Sequence, residues 1–167
     1  MSRKRKNTVN IAAGALTAAL YVVLTLMSSA FGLSSGVVQV RFSEALTVLP
    51  VFFPAAVPGL FTGCVISNII TGCALWDVVF GSLATLIGAV LTYFIGKKHK
   101  LLAVIPPVIS NSVIIPFVLK YVYNLDGGLW FFVITVFAGE FISCGVLGTL
   151  LRKALEKANI PFFKKSQ

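Results

Sequence analysis

The stretch Val38–Gly59, VQVRFSEALTVLPVFFPAAVPG, decides how this chain folds. It sets a fixed cation, Arg41, three residues before a carboxylate, Glu44, and then runs almost purely apolar through Pro50, Pro54 and Pro58. Each proline removes a backbone donor and disfavours helical geometry in the residue before it. The run therefore predicts two short, irregular helical pieces, over 44–54 and 58–72. They are either two steep spans or a re-entrant pair meeting at Pro54–Pro58. Irregular backbone at membrane depth survives only where protein or a cavity covers it. The segment thus points to a cavity, with Arg41 and Glu44 at its mouth.

Around this stretch the composition is that of a membrane protein. Hydrophobic residues make up 57% of the 167 positions and charged residues 11%. Four further apolar runs, over 9–31, 77–96, 101–123 and 129–155, come close to or exceed the roughly 20 residues that cross a bilayer core. The expected fold is all-α: six transmembrane helices in a single membrane domain spanning 1–167. The basic head Arg3–Lys6 leads into a run too long for a cleavable signal, with no clear small-residue cleavage site.

The formal net charge of +9 would suit nucleic acid, but its placement excludes that partner. Of the 14 Lys and Arg residues, 12 fall in three groups, within Arg3–Lys6, Lys97–Lys100 and Arg152–Lys165. Six crossings with the N-terminus inside put all three groups on the cytoplasmic side and leave only Arg41 and Lys120 elsewhere. This is the positive-inside pattern. It places both termini in the cytoplasm and the chain in the plasma membrane as a multi-pass protein. The outer loops are then Gly32–Gln39, Gly72–Trp76 and Asn124–Gly128, the first flexible enough to act as a lid.

Catalysis finds little support. Gly96-Lys97-Lys98 lacks the upstream glycine and the Ser/Thr of a phosphate loop, so this chain does not hydrolyse ATP by that route. The single histidine, His99, sits among lysines. No His/Cys/carboxylate group has metal-ligand spacing, and neither a metal nor a cofactor is expected. Cys64, Cys73 and Cys144 read as small packing residues.

The remaining polar residues read as a binding site. Glu140 lies roughly 16 Å into the last run at 1.5 Å per residue. A carboxylate at that depth is a functional candidate, or else a structural partner of Lys120 or Arg41. Arg41 and Glu44 are candidates, or a mutual surface pair. Asn68 and Asn111 each present donor and acceptor, which suits a heterocycle edge or helix–helix bonding. Asp77 either joins the site or favours the start of its helix. Trp76, Trp130, Tyr121 and Tyr123 form an outer aromatic belt, from which one ring could stack on a planar ligand. Ala15 and Ala19 are four residues apart, as are Gly14 and Ala18. Such spacing admits a close helix, from a partner or from this chain.

The block VQVRFSEALTVLPVFFPAAVPGLFTGCVISNI, followed by GCALWDVVFGSLATLIGA, resembles the QueT family, and the resemblance covers nearly the whole chain. These are substrate-binding S components of energy-coupling factor (ECF) transporters assigned to queuosine precursors. The resemblance implies a six-helix fold, an outward-facing pocket and no ATPase of its own. Two ATP-binding cassette subunits would drive import through a transmembrane coupling subunit, on which Ala15 and Ala19 would dock. The S component would topple in the membrane to present its pocket inward. The substrate would be a 7-deazaguanine carrying an aminomethyl or cyano group, or the larger base queuine. Glu140 would accept from the guanine-like edge, Glu44 or Asp77 would meet an aminomethyl cation, and Arg41 would donate to the ring carbonyl or orient Glu44. An S component for another vitamin-like molecule, a self-sufficient carrier and a membrane enzyme are the alternatives. No ladder of intramembrane charges or inverted repeat favours the carrier.

Overall fold

A computed structural model describes residues 3–34 and 38–158. Helix α1 (Arg3–Ala30) leads through a loop into a 3-10 segment, Phe42–Val51. Then come α2 (Ala56–Ile70), α3 (Leu75–Lys98), a 3-10 turn at Lys100–Val104, and α4 (Ile105–Tyr121). Helix α5 (Leu129–Glu140) runs through a π-helical stretch, Phe141–Gly148, into α6 (Thr149–Ala158). The described residues contain no strand.

Four helical stretches are long and apolar enough to cross a membrane: Asn7–Ala30, Leu75–Lys98, Lys100–Tyr121 and Leu129–Ala158. Their outward faces carry large apolar side chains, among them Ile11, Leu16, Phe94, Ile109 and Ile134. A belt this extensive suits lipid rather than water. The two proline-punctuated pieces are shorter. Ten residues of 3-10 helix rise about 20 Å, and the 15 residues of α2 about 22 Å. Each alone falls short of a hydrocarbon core of about 30 Å.

The 3-10 segment lies inside the bundle. Every residue from Ser43 to Val51 is buried, so its irregular backbone is covered by protein, as the prolines led one to expect. It starts beside the end of α1, where Phe42 N donates to Ser28 Oγ at 2.8 Å and Thr25 Oγ1 bonds Ser43 Oγ at 2.8 Å. It ends where Val51 meets Gly96, near the end of α3.

Helices α1 and α2 run in the same direction, Gly14 meeting Ala55 and Gly59, and Ala18 meeting Gly63. The approach is close enough that a Cβ on Gly59 would lie 2.5 Å from the Gly14 carbonyl oxygen. Small residues permit such backbone contact between membrane helices. The two stripes of α1 thus separate. Gly14 and Ala18 pack within the chain, whereas Ala15 and Ala19 are exposed.

Helix α3 returns antiparallel to α2, with Thr85 Oγ1 bonded to Cys64 Sγ at 3.4 Å. It turns into α4 where Thr92 Oγ1 donates to the Ala103 carbonyl at 2.9 Å. Helix α5 packs on α4 through Ile115, Leu119, Phe132 and Val136. Lys100 and Glu156 approach to 3.8 Å, setting α6 at the same end of the bundle as the α3–α4 turn. Arg152, grouped in the sequence with the basic surface, is buried there and hydrogen-bonds Glu156 at 3.4 Å.

Candidate functional site

A polar stripe on α1 turns inward at helical spacing. Thr17, Tyr21, Thr25 and Ser28 are all buried. They lie on one face because residues three and four apart stack along a helix. Opposite them runs the start of the 3-10 segment. There the Tyr21 hydroxyl donates to Glu44 Oε1, with Glu44 only 2% exposed. The second carboxylate oxygen, Oε2, is buried, and by distance and angle has no hydrogen-bond partner among the described residues. Thr47 secures the local turn by donating to the Glu44 carbonyl at 2.6 Å.

Arg41 sits just before this segment and is tied to the π-helical stretch, its backbone N–H donating to Ser143 Oγ at 3.1 Å. The adjoining loop comes so near α5 that a Cβ at Gly139 would collide with the Gln39 carbonyl. The Arg41 guanidinium donates to Asn68 Oδ1 at 3.5 Å and to Gln39 Oε1 at 3.1 Å. Among the described residues it forms no ion pair with Glu44, so the two are not a mutual surface pair.

The π-helical stretch begins directly after Glu140. Such local unwinding is frequent at functional sites. Here Glu140 and Cys144 both face inward, with the Cys144 thiol 3.2 Å from Glu140 Oε2. One ligand atom each from Glu44, Glu140 and Cys144 lies within 4.8 Å of the others. Sequence spacing gave no sign of this group, because Glu44 comes from a distant element.

These residues line two neighbouring cavities, an outer and an inner tier. The outer is a cavity of about 290 Å³ among the loops at one end of the bundle. Arg41, Asn68, Asp77, Tyr123, Gln39 and Leu119 contribute to its wall. The inner is a chamber of about 20 Å³, room for roughly one water molecule. Glu44, Glu140, Asn111 and Thr85 contribute to its wall, and Arg41 and Gln39 line both tiers.

The sequence-derived candidates therefore divide. Asn68 and Asp77 belong to the outer cavity, Glu44, Asn111 and Glu140 to the inner chamber, and Arg41 to both. The alternative partner for Glu140, Lys120, instead donates to the Gly127 carbonyl at 2.9 Å. Of the four belt aromatics, Tyr123 alone lines the outer cavity. Its hydroxyl donates to Asp77 Oδ2 at 2.8 Å and accepts from the Ala74 N–H at 3.1 Å. Burial and the adjacent Asp77 carboxylate hold that hydroxyl above the ordinary tyrosine range, so it stays a donor further into alkali. Gly32–Gln39, the expected lid, falls partly outside the described residues, since 35–37 are among those not described.

Tyr21, Gln39 and Cys144 were missed in the sequence. The hydroxyl stripe from Thr17 to Ser28, at spacings of three and four, was the signal that would have found Tyr21. Gln39 and Cys144 carry no comparable signal.

A family model described as QueT transporter matches residues 11–157. The Queuosine precursor transporter QueT of Lactococcus lactis subsp. cremoris (strain MG1363) is 36% identical over 84 residues. That match covers 50% of this chain and 49% of the relative, so the chain spans about half the length of the curated relative it matches. No solved structure matches the chain.

Proposed function

The chain belongs to the QueT transporter family, and from that membership and the two-tier site we propose that it is the substrate-binding membrane subunit of an ECF-type importer for a queuosine precursor. The observation that carries the reading is a buried, carboxylate-rich site at one end of an otherwise apolar bundle. Buried acids inside a membrane domain are costly unless they serve a ligand or an ion pathway. The outer cavity is near the lower end of the range for small-molecule sites. A 7-deazaguanine ring fits that tier, and the inner chamber is far too small for one.

In this reading the ring's N–H and amino donors face Asp77 and Asn68, Arg41 donates to its carbonyl oxygen, and Tyr123 covers one side. Glu140, first assigned to the ring edge, lines the inner chamber rather than the outer cavity that takes the ring. The chain is one membrane unit, with its charged end and both termini in the cytoplasm and the outer cavity facing outward. Exposed Ala15 and Ala19 form the face that docks on the coupling subunit, and two ATP-binding cassette subunits supply the energy. The chain itself is not an enzyme.

Reconstitution in liposomes tests this assignment. The chain alone should bind a 7-deazaguanine without accumulating it, and uptake should appear only with the coupling module and ATP. Accumulation by the chain alone would make it a self-sufficient carrier.

A further inference from the structure

Helices α3 and α4 meet along a seam of small residues and prolines. A Cβ on Gly88 would lie 2.8 Å from the Pro107 Cα, and one on Gly96 3.2 Å from the Ala103 Cβ. Backbones this close leave the large side chains outside the seam, where they stand as two ridges. Ile87, Leu91 and Ile95 recur every four residues on α3, and Ile105, Ile109 and Val113 do the same on α4. All six are exposed on the outside of the bundle. Between the ridges runs a groove of about 420 Å³. Ser110 is the one polar residue in its lining, and its hydroxyl is spent on the Pro107 carbonyl at 3.1 Å. No residue of α1 lines it, so it is distinct from the exposed Ala15 and Ala19 stripe.

Length and charge bear on its occupant. From Ile87 to Ile95, and from Ile105 to Val113, the ridges run about 12 Å at 1.5 Å per residue. That is close to one leaflet of a hydrocarbon core about 30 Å thick. The groove ends at Ile95 and Leu102, on either side of the turn that carries Lys97, Lys98 and Lys100. Lys98 extends the α3 ridge, three residues beyond Ile95, and is exposed. Lys97 is held by Tyr93, its Nζ 2.8 Å from the hydroxyl and 4.2 Å from the ring centre. Neither forms an ion pair among the described residues, whereas Lys100 faces Glu156 at 3.8 Å. A second groove, of about 430 Å³, continues from Val113 and Ile114 to Tyr121 and Val122. The lysine at that end of α4, Lys120, is already engaged with the Gly127 carbonyl. The first groove thus joins an apolar trough of one-leaflet depth to two cations that lack a carboxylate partner. Basic clusters of this kind beside membrane helices attract anionic headgroups.

We propose that this groove holds an anionic phospholipid, its phosphate on Lys97 and Lys98 and an acyl chain between the two ridges. The site does not depend on the ring-binding reading.

Native mass spectrometry of the purified chain, titrated with phosphatidylglycerol and with phosphatidylcholine of the same acyl chains, tests it. One phosphatidylglycerol should be retained per chain. It should be preferred at least about tenfold, since each lysine at an anionic surface contributes about fivefold. Lys97→Gln with Lys98→Gln should remove most of that preference. Ile109→Trp, which fills the groove, should lower retention of phosphatidylglycerol about tenfold. Lys153→Gln with Lys157→Gln changes the charge of α6, which does not line the groove, and should leave the preference in place. Melting temperatures near wild type establish that each variant is folded. Retention of neither lipid by the wild type, equal retention of both, or an equal loss in the α6 variant would overturn the site. Retention unchanged by Ile109→Trp would overturn it too, by placing the lipid elsewhere. Glycerol phosphate, the headgroup without a chain, should not bind, and binding as tight as the lipid's would reduce the site to lysines on a phosphate. A dimer in place of the lipid adduct would give the groove to a second copy of the chain.

Discussion

Tyr21, in the middle of α1, donates its hydroxyl to Glu44 on the buried 3-10 segment, and this bond joins the first apolar helix to the heart of the site. Tyr21 is 0% exposed and Glu44 2%, so the bond lies out of bulk solvent. The bond fixes one carboxylate oxygen of a residue that lines the inner chamber.

Tyr21→Phe should therefore destabilise the protein. Leaving a buried acceptor unmatched costs about 1–3 kcal/mol. Thermal unfolding in detergent should show a lower melting temperature, partly restored by ligand. An unchanged melting temperature would mean that the bond contributes nothing to the folded state.

Asp77→Asn tests the outer tier. The carboxylate accepts from Tyr123 at 2.8 Å and lines the larger cavity. Replacing one of its acceptors by a donor opposes the donors of a guanine-like edge. Ligand affinity should fall roughly 5- to 150-fold, the equivalent of about 1–3 kcal/mol. Titration of a neutral 7-deazaguanine measures this without involving the inner chamber. Equal affinity in the variant would remove Asp77 from the ring site.

The raised Tyr123 hydroxyl gives a pH prediction. A tyrosine held neutral by the fold contributes stability that is complete below the unfolded value of about 10 and is lost as pH rises through the folded value. Tyr123→Phe removes that contribution. The melting temperatures of wild type and Tyr123→Phe should differ near neutral pH and converge in strong alkali. A constant gap throughout would show that the hydroxyl does not titrate in this way.

Two stripes on one helix should behave differently. Gly59→Ala places a Cβ 2.5 Å from the Gly14 carbonyl, at the contact of α2 with the inner stripe of α1. Overpacking of this kind typically costs about 1–3 kcal/mol. Ala15→Trp and Ala19→Trp alter the exposed stripe instead. They should reduce uptake by the assembled importer while leaving ligand affinity and melting temperature near wild type. Normal uptake in both tryptophan variants would relocate the docking face.

Much of the fold was legible because apolar length is a local property. The runs over 9–31, 77–96, 101–123 and 129–155 each sit within a few residues of an observed helical stretch. Pro50 and Pro54 marked the irregular, covered segment for the same reason: a proline acts on its own neighbourhood. The candidate site was legible only as a set of residue types. Glu44 and Cys144 are 100 positions apart, and Glu140 and Glu44 share a chamber only through the packing of the 3-10 segment on the π-helical stretch. Periodicity along one helix says nothing about such a meeting. The outer cavity and the inner chamber could not be told apart either, because the two share Arg41 and Gln39 in their walls and differ only in side-chain placement.

The proposed sidedness rests on the 12-to-2 distribution of basic residues and is tested by labelling. In a background with Cys73 replaced by serine, a single cysteine at Ser34 or Gly127 should react with an impermeant thiol reagent added outside intact cells. One at Lys98 should react only after permeabilisation. External labelling at Lys98 would invert or break the proposed arrangement.

The central claim is that this chain is a binding subunit for a queuosine precursor, and equilibrium titration of a 7-deazaguanine into the purified chain tests it most directly. The account predicts saturable one-to-one binding with no other subunit present and with the ligand recovered chemically unchanged. Absence of binding by a folded preparation, or conversion of the ligand by the chain, would contradict it.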